Sequence, residues 1–491
     1  MGKGLWVNVY DAGRRCARLA SFAELAGGAP PTLNADFLVY LEDGMVKGKD
    51  LGSGKEYGPS QSLSAVLNAI ISSTAEPMTV LIGPGEYTCD QPVELRQGVR
   101  IIGSGRRETI IHGQFSVPTI GHQNDIVLKD MMISRYPKQG PGLLVKGDYL
   151  AEVTHHLLLI EDVAFYSCTS GVEAYAMSEA VLRGAIFVEC DVGLNLADAC
   201  MNVRCEDLYA VNCGTGVRLG RVNFRCEGTA LDRYVALKCS TALQIDDGFL
   251  IRVTDSAFDM GTGDTPLLIM GGGEITVSNT WISSDYAGAG RVTVWPGITD
   301  IDGVRFVNCT FAYNKLYGLS IVYDGNSGRR PRRITVENCR FYSNGTPTEG
   351  GDMYISNADD VTISNCSFLS TEPPYNLKEE LSPSRVLILN SYFAKSTAGL
   401  SLVAGANRVH GLTNPPSEAC GTATVPAGST STTVNHNLGF TPKIIRVTPL
   451  DNLGGRSFWV SDVTGTSFRI NISSTDTVNH AFAWEAEVGW V

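Results

Sequence analysis

The 491-residue sequence has no Cys-x-x-Cys pair and no His-Glu-x-x-His arrangement among its seven histidines, so neither a structural nor a catalytic metal site has a motif, and no metal or cofactor is expected. No apolar run approaches the ~18 residues of a membrane span, which argues against membrane insertion. Positive charge is also scarce: 39 Lys and Arg against 51 Asp and Glu leave a net charge of −12. A nucleic-acid binder would carry a basic footprint, and that class is set aside. The first residues, Met1-Gly-Lys-Gly-Leu-Trp6, lack an apolar signal region, so no N-terminal export signal is expected. Thirteen cysteines are present, but in a chain this long most sit beside apolar residues at regular intervals. They read as buried free thiols, packed as small hydrophobes.

Those intervals carry most of the information. Phe165-Tyr-Ser-Cys168, Phe187-Val-Glu-Cys190, Val211-Asn-Cys213 and Leu237-Lys-Cys239 place cysteines 22, 23 and 26 residues apart. Asn308-Cys309-Thr-Phe311, Asn338-Cys339-Arg-Phe341 and Asn365-Cys366-Ser-Phe368 hold a second column, 30 and 27 apart. A drifting repeat of this length with short β-rich segments means stacked units, none of which buries its face alone. The asparagines mark sharp coil corners, where they tolerate left-handed backbone. Ahead of the repeats, Leu63, Val66, Leu67 and Ile70 recur at helical spacing behind serines, predicting a short helix that caps a solenoid.

After that helix, Met78-Thr-Val-Leu-Ile-Gly-Pro-Gly-Glu-Tyr87 and Val99-Arg-Ile-Ile-Gly-Ser-Gly105 are strand runs punctuated by glycine. This block resembles the opening of pectin lyase-like right-handed β-helices. The resemblance implies a right-handed parallel β-helix, with internal ladders of stacked amides at its corners. The expected organisation is a 1–58 attachment or capping region, a 59–402 β-helix, a 403–419 linker, and a 420–491 module. In the last, six short strands at roughly ten-residue spacing predict a compact antiparallel β-sandwich. Its Thr424-Val-Pro-Ala-Gly-Ser429 and Asn437-Leu-Gly-Phe-Thr-Pro442 resemble C-terminal modules of phage tail fibres and tailspikes. That second resemblance implies a homotrimer on a virion, outside the cell, attached to a tail or baseplate by its N-terminal region and binding a bacterial surface polysaccharide.

In a solenoid the inward positions are spent on packing, so chemistry must sit on outward ones. By the period-two rule the strands near residues 171–246 point Glu173, Asn195, Arg218 and Gln244 outward, with Tyr175, Ala197, Gly220 and Asp246 in a second column. Asp198 and Asp247 lie one step further. Carboxylates, amides, an arginine and a tyrosine around small residues suit sugar hydroxyls and rings; a merely solvated sheet face uses the same residue types. Asp246, Asp247 and Asp198 are the candidate catalytic residues, and Glu173, Tyr175, Asn195, Arg218 and Gln244 the candidate substrate-binding residues. Asp198 and Asp246 or Asp247, two coils apart, would stand roughly 9 to 10 Å apart along the axis. That approaches the ~6.5 to 9.5 Å of inverting glycosidases and exceeds the ~5.5 Å of retaining ones. Ile245-Asp-Asp-Gly248 resembles the double aspartate of polygalacturonases, but their Asn-Thr-Asp and Gly-His-Gly companions are missing. A lyase or epimerase on a polyuronate, and a non-catalytic fibre that recognises glycan through its C-terminal module, remain open alternatives.

Overall fold

The computed structural model describes residues 35–490 apart from 222–223, 262–264, 285–287, 295–299, 324–329, 381–384, 395–399, 403–406 and 413–415. The chain is nearly all β. Thirteen parallel strands, from Val93–Glu94 to Leu400–Ser401, stack into one long sheet, called the groove sheet below. The other faces of the same coils form a second sheet, joined where strands such as Asn124–Ser134 and His155–Tyr166 run through a corner without a break.

Columns of like residues fill the interior because each coil presents the same inward position. Leu143, Val172, Leu194, Val217, Leu243 and Leu267 lie opposite one another in succession, all fully buried. Phe311, Phe341, Phe368 and Phe393 stack nearly parallel at 4.6–4.8 Å. Where the column narrows to Ala210 and Ala236, the buried Tyr234 fills the space, its hydroxyl donating to the Ala242 carbonyl at 2.7 Å. Gly216 makes this possible, since a Cβ there would lie 2.0 Å from that hydroxyl. Cys168, Cys190, Cys213 and Cys239 are buried and unbridged, as their spacing predicts. The thiols of Cys190 and Cys213 point at the carbonyls of Phe165 and Phe187, one coil back.

Corners turn on single left-handed residues. Asn279, Asn308, Asn338, Asn365 and Asn390 have φ of 46–55°, the conformation asparagine tolerates best among residues with side chains. Their amides ladder between coils, Asn308 to Asn279 at 3.2 Å and Asn279 to Asp255 at 2.9 Å.

At the N-terminal end, Phe37–Glu42 and Met45–Asp50 form a hairpin, and Phe37–Glu42 pairs in parallel with Met78–Ile82. The described part of the expected 1–58 region is thus hydrogen-bonded into the first coil, and the strand Glu56–Ser60 crosses the expected boundary. Residues 1–34 lie outside the described residues. The helix Leu63–Ser72 buries Leu63, Val66, Leu67 and Ile70, but Ser62 does not cap it with its side chain. The Ser62 hydroxyl turns to Ser64 and Asp90 instead.

At the other end the rod outlasts its expected limit. Arg408–His410, inside the expected 403–419 linker, pairs in parallel with Val386–Leu389 as a last solenoid strand. The C-terminal module follows as two three-stranded antiparallel sheets. In one, Glu418–Val425 and Ile444–Pro449 flank His480–Glu487; in the other, Ser431–Asn435 and Phe458–Ser461 flank Ser467–Ile472. Gly489–Trp490 then pairs antiparallel with Arg408–His410 and seats the module on the rod.

Candidate functional site

The outer face of the groove sheet carries side chains that change from coil to coil. Glu173 lies opposite Asn195, Asn195 opposite Arg218, and Arg218 opposite Gln244, the register the period-two rule gives. The second column departs from its expected alignment. A bulge after Ala174 sets Tyr175 opposite Asp198, and Ala197 is buried. A bulge inserts one residue and bends the strand, re-aiming the side chain beside it; here it brings Asp198 alongside Tyr175.

Asp246 and Asp247 do not line an open groove, and that expectation is corrected. Asp246 is 1 % exposed, covered by Arg218, whose Nε donates to Asp246 Oδ2 at 2.7 Å, and by Gln244, whose amide donates to Oδ1 at 2.7 Å. Asp247 is 3 % exposed and receives Arg225 Nε at 3.0 Å. The strand-end backbone needs Gly220 here (φ 73°), since a Cβ would lie 2.2 Å from the Asp247 carbonyl oxygen. Buried carboxylates must be paired, and the guanidinium groups that pair them become the exposed chemistry. Asp198 differs. It contacts Arg221, yet burial raises its pKa above the ordinary carboxylate value, the arginine offsetting only part of the shift. Tyr175 donates to Glu173, and burial together with that carboxylate pushes the phenol up to about 12. Glu173, Tyr175 and Asp198 therefore form a tight acidic group, with Arg221 and Arg218 beside it.

A second group on the same face was not found in the sequence. Ser320, Tyr354 and Lys378 continue the outward column, with Tyr317, Gly351 and Tyr375 beside it. The Tyr317 and Tyr354 rings stack at 4.8 Å. Tyr354 donates to Glu380 Oε2 at 2.8 Å, and Lys378 pairs with Glu380 while lying 5.4 Å from the Tyr375 ring centre. Lys378, then Tyr354, holds the Glu380 carboxyl below its usual range, so it is ionised at neutral pH. Gly351 stands between Tyr317 and Tyr375 in the register, where a Cβ would lie 2.3 Å from the Tyr375 carbonyl oxygen. The usable signal was Tyr-x-Leu, Met-Tyr-Ile and Tyr-x-Leu-Lys recurring at these coils, outside the cysteine columns.

Three other features lie outside these two groups. In the basic run 328–333, Arg330, Arg332 and Arg333 are taken up by Asp359, Asp300, Asp302 and Glu274; Gly328 and Arg329 lie outside the described residues. Trp484 packs against Phe468 in the module, whereas Trp459 is 49 % exposed on the edge strand Phe458–Ser461. Asn344 of the Asn-Gly-Thr sequence is buried, its amide donating to Asp352 and to the Phe311 carbonyl.

Together the coils, corners and outward columns define a right-handed parallel β-helix. The family described as right-handed β-helix region matches residues 295–438. Solved structures similar to the chain include the tailspike protein of Escherichia coli bacteriophage HK620 in complex with pentasaccharide, at 10 % identity over 89 % of this chain and 92 % of that one, with a TM-score of 0.46. Others are the A-module of Azotobacter vinelandii mannuronan C-5 epimerase AlgE6 (12 % identity, 72 % and 94 % covered, TM-score 0.42) and the N-terminal fragment of bacteriophage Phi29 gene product 12 (11 %, 71 % and 67 %, 0.42). No curated protein matches the sequence.

Proposed function

We propose that the chain is a phage-type tailspike or tail fibre protein that grips a bacterial surface polysaccharide along the outer face of the groove sheet. The observation that carries this reading is the continuous outward column, in register from Glu173 through Arg218 to Gln244 and again from Ser320 through Tyr354 to Lys378. Coils repeat every ~4.8 Å, so a linear polymer lying along the rod meets an acid and arginine group at one station and an aromatic group at another. Hydroxyls bond to the carboxylates, amides and guanidinium groups, and the C–H faces of sugar rings pack on the tyrosines.

Cleavage on this face would be inverting hydrolysis. The Glu173 and Asp198 backbone positions are one coil and two residues apart, roughly 8 Å by strand spacing and rise, a separation from which the two carboxyl groups can reach the ~6.5 to 9.5 Å that leaves room for a water. Asp198, whose raised pKa keeps its proton to higher pH, is the acid, and Glu173 the base. This pair replaces the one formed by Asp198 with Asp246 or Asp247, while Arg218, Asn195, Gln244 and Tyr175 hold substrate. Assembly as a homotrimer is part of the proposal: Ile120, Tyr136, Tyr149 and Leu150 are 56–81 % exposed and are suited to cover between copies.

The test is incubation with capsular polysaccharide or lipopolysaccharide, followed by binding calorimetry and an assay for new reducing ends. Saturable binding lost on altering the groove face supports the reading. Binding that survives there and is lost on altering the C-terminal module would establish the adhesive-fibre alternative. Unsaturated products would replace hydrolysis by elimination. Light scattering at three times 52.7 kDa checks the trimer.

A further inference from the structure

Three side chains from strands distant in sequence meet where the module is seated on the rod. His410 ends the last solenoid strand, Glu418 opens the first strand of the module, and Glu487 closes the strand beside it. His410 Nδ1 lies 2.6 Å from Glu418 Oε1 and 4.0 Å from Glu487 Oε1, and the three ligand atoms fall within 4.8 Å of one another.

Two independent observations give this meeting a purpose. Glu418 and Glu487 are direct partners across an antiparallel pair, where like charges face and repel. The strand on the other side of Glu487 presents Ile444 to it. A cavity of about 330 Å³, walled by Leu387, Leu389, Val409, Ile444 and Gly489, also opens on His410 and Glu487. Of the two carboxylates Glu487, with His410, thus borders a mostly apolar recess, where charge is screened less than in open water.

We propose that His410, Glu418 and Glu487 bind a divalent transition-metal ion that clamps the C-terminal module to the end of the rod. One imidazole nitrogen with two carboxylate oxygens is a donor set suited to zinc, and three protein ligands leave a position for water from the cavity side. Tetrahedral ligands at ~2.1 Å stand roughly 3.4 Å apart, so Glu418 has to open and Glu487 to close by roughly 1 Å or less. All three side chains are partly exposed, at 24–57 %, and have room to make that adjustment. Sequence spacing could not reveal the site, because docking of the module is what assembles it.

Full-length protein freed of metal with chelator and titrated with zinc chloride tests the site by calorimetry and by thermal unfolding. One ion per chain is expected, with a higher unfolding temperature that EDTA reverses. His410→Ala and Glu487→Gln should each weaken binding by about 10-fold or more, and the glutamine variant keeps side-chain shape should the alanine variant fold poorly. The exposed Cys420 thiol, two residues from Glu418, is a competing ligand. Cys420→Ser is therefore expected to bind zinc like the parent, and loss of uptake there would overturn the proposal. So would the absence of saturable uptake, unchanged affinity in both ligand variants, or a thermal stability that responds to pH and not to zinc.

Discussion

The rod and the C-terminal module bury apolar residues by opposite strategies. Inside the rod every coil repeats its neighbour, so Phe341 meets Phe311 on one side and Phe368 on the other, and the interior could continue without limit. The module closes two small sheets over Val425, Phe468, Ile470 and Phe482. Packing is a nearest-neighbour matter in the first and a single cooperative core in the second. Because repetition already satisfies the rod's interior, residues on the outer face are free to vary and to serve purposes other than packing. The module has no such long face; its counterpart is a patch of Phe458 and Trp459 on one edge strand.

The sharpest break in the comparison should come from Arg218→Ala. It removes both the cation and part of the cover of Asp246, and because the arginine is itself 39 % exposed the expected cost is that of a lost charged hydrogen bond, about 1–3 kcal/mol. Denaturant unfolding should register that loss in the rod; a cost below about 1 kcal/mol would mean that water reaches Asp246. Next comes Asp198→Asn, expected to lower polysaccharide turnover by ~100-fold or more with binding retained. A general acid works protonated, so parental turnover should fall as pH rises through the raised pKa of Asp198, and the variant should lose that limb. A parental profile flat above pH 4 would remove Asp198 from the role. A smaller effect separates the two regions as glycan binders: Tyr354→Ala should weaken affinity by about 2- to 10-fold, the value of one aromatic contact at ~0.5–1.5 kcal/mol, and Trp459→Ala should not. The reverse result would move recognition to the module.

The smallest effect is confined to the module. The buried His480 ring sits 2.9 Å from both Asp451 and Asp476, which raise its pKa above 6.5. Stabilisation by the imidazolium is complete below pH 6.5 and lost as pH rises through the raised value. The module's thermal transition should therefore fall over that range while the rod's holds, and His480→Gln should abolish the difference.

Much of the rod could be read directly, because a period survives every substitution that keeps the inward residue apolar. The thiol column, the corner asparagines and the register of Glu173, Asn195, Arg218 and Gln244 all follow from it. What the period cannot carry is a one-residue insertion, so the bulge after Ala174 and the pairing of Tyr175 with Asp198 stayed hidden. Nor does it say where a long side chain lies down. Arg218 and Arg225 fold across neighbouring strands and bury Asp246, which alternation placed toward solvent, and Asp247 one step further. The tyrosine group was missed for a third reason: its coils are 24 to 34 residues long, and alignment on cysteines left their outward positions unmatched.

The single-residue corners have a consequence for how such a rod changes over time. Between Asn279 and Asn390 each coil enters at one left-handed asparagine and leaves just before the next, with nearly the same backbone at both points. A segment cut from one corner to the residue before the following one rejoins with matching ends, as a link leaves a chain. Length is then adjustable in whole links by in-frame deletion or duplication, and the distance between the acidic station and the tyrosine station can be reset to a different polymer repeat without redesigning either.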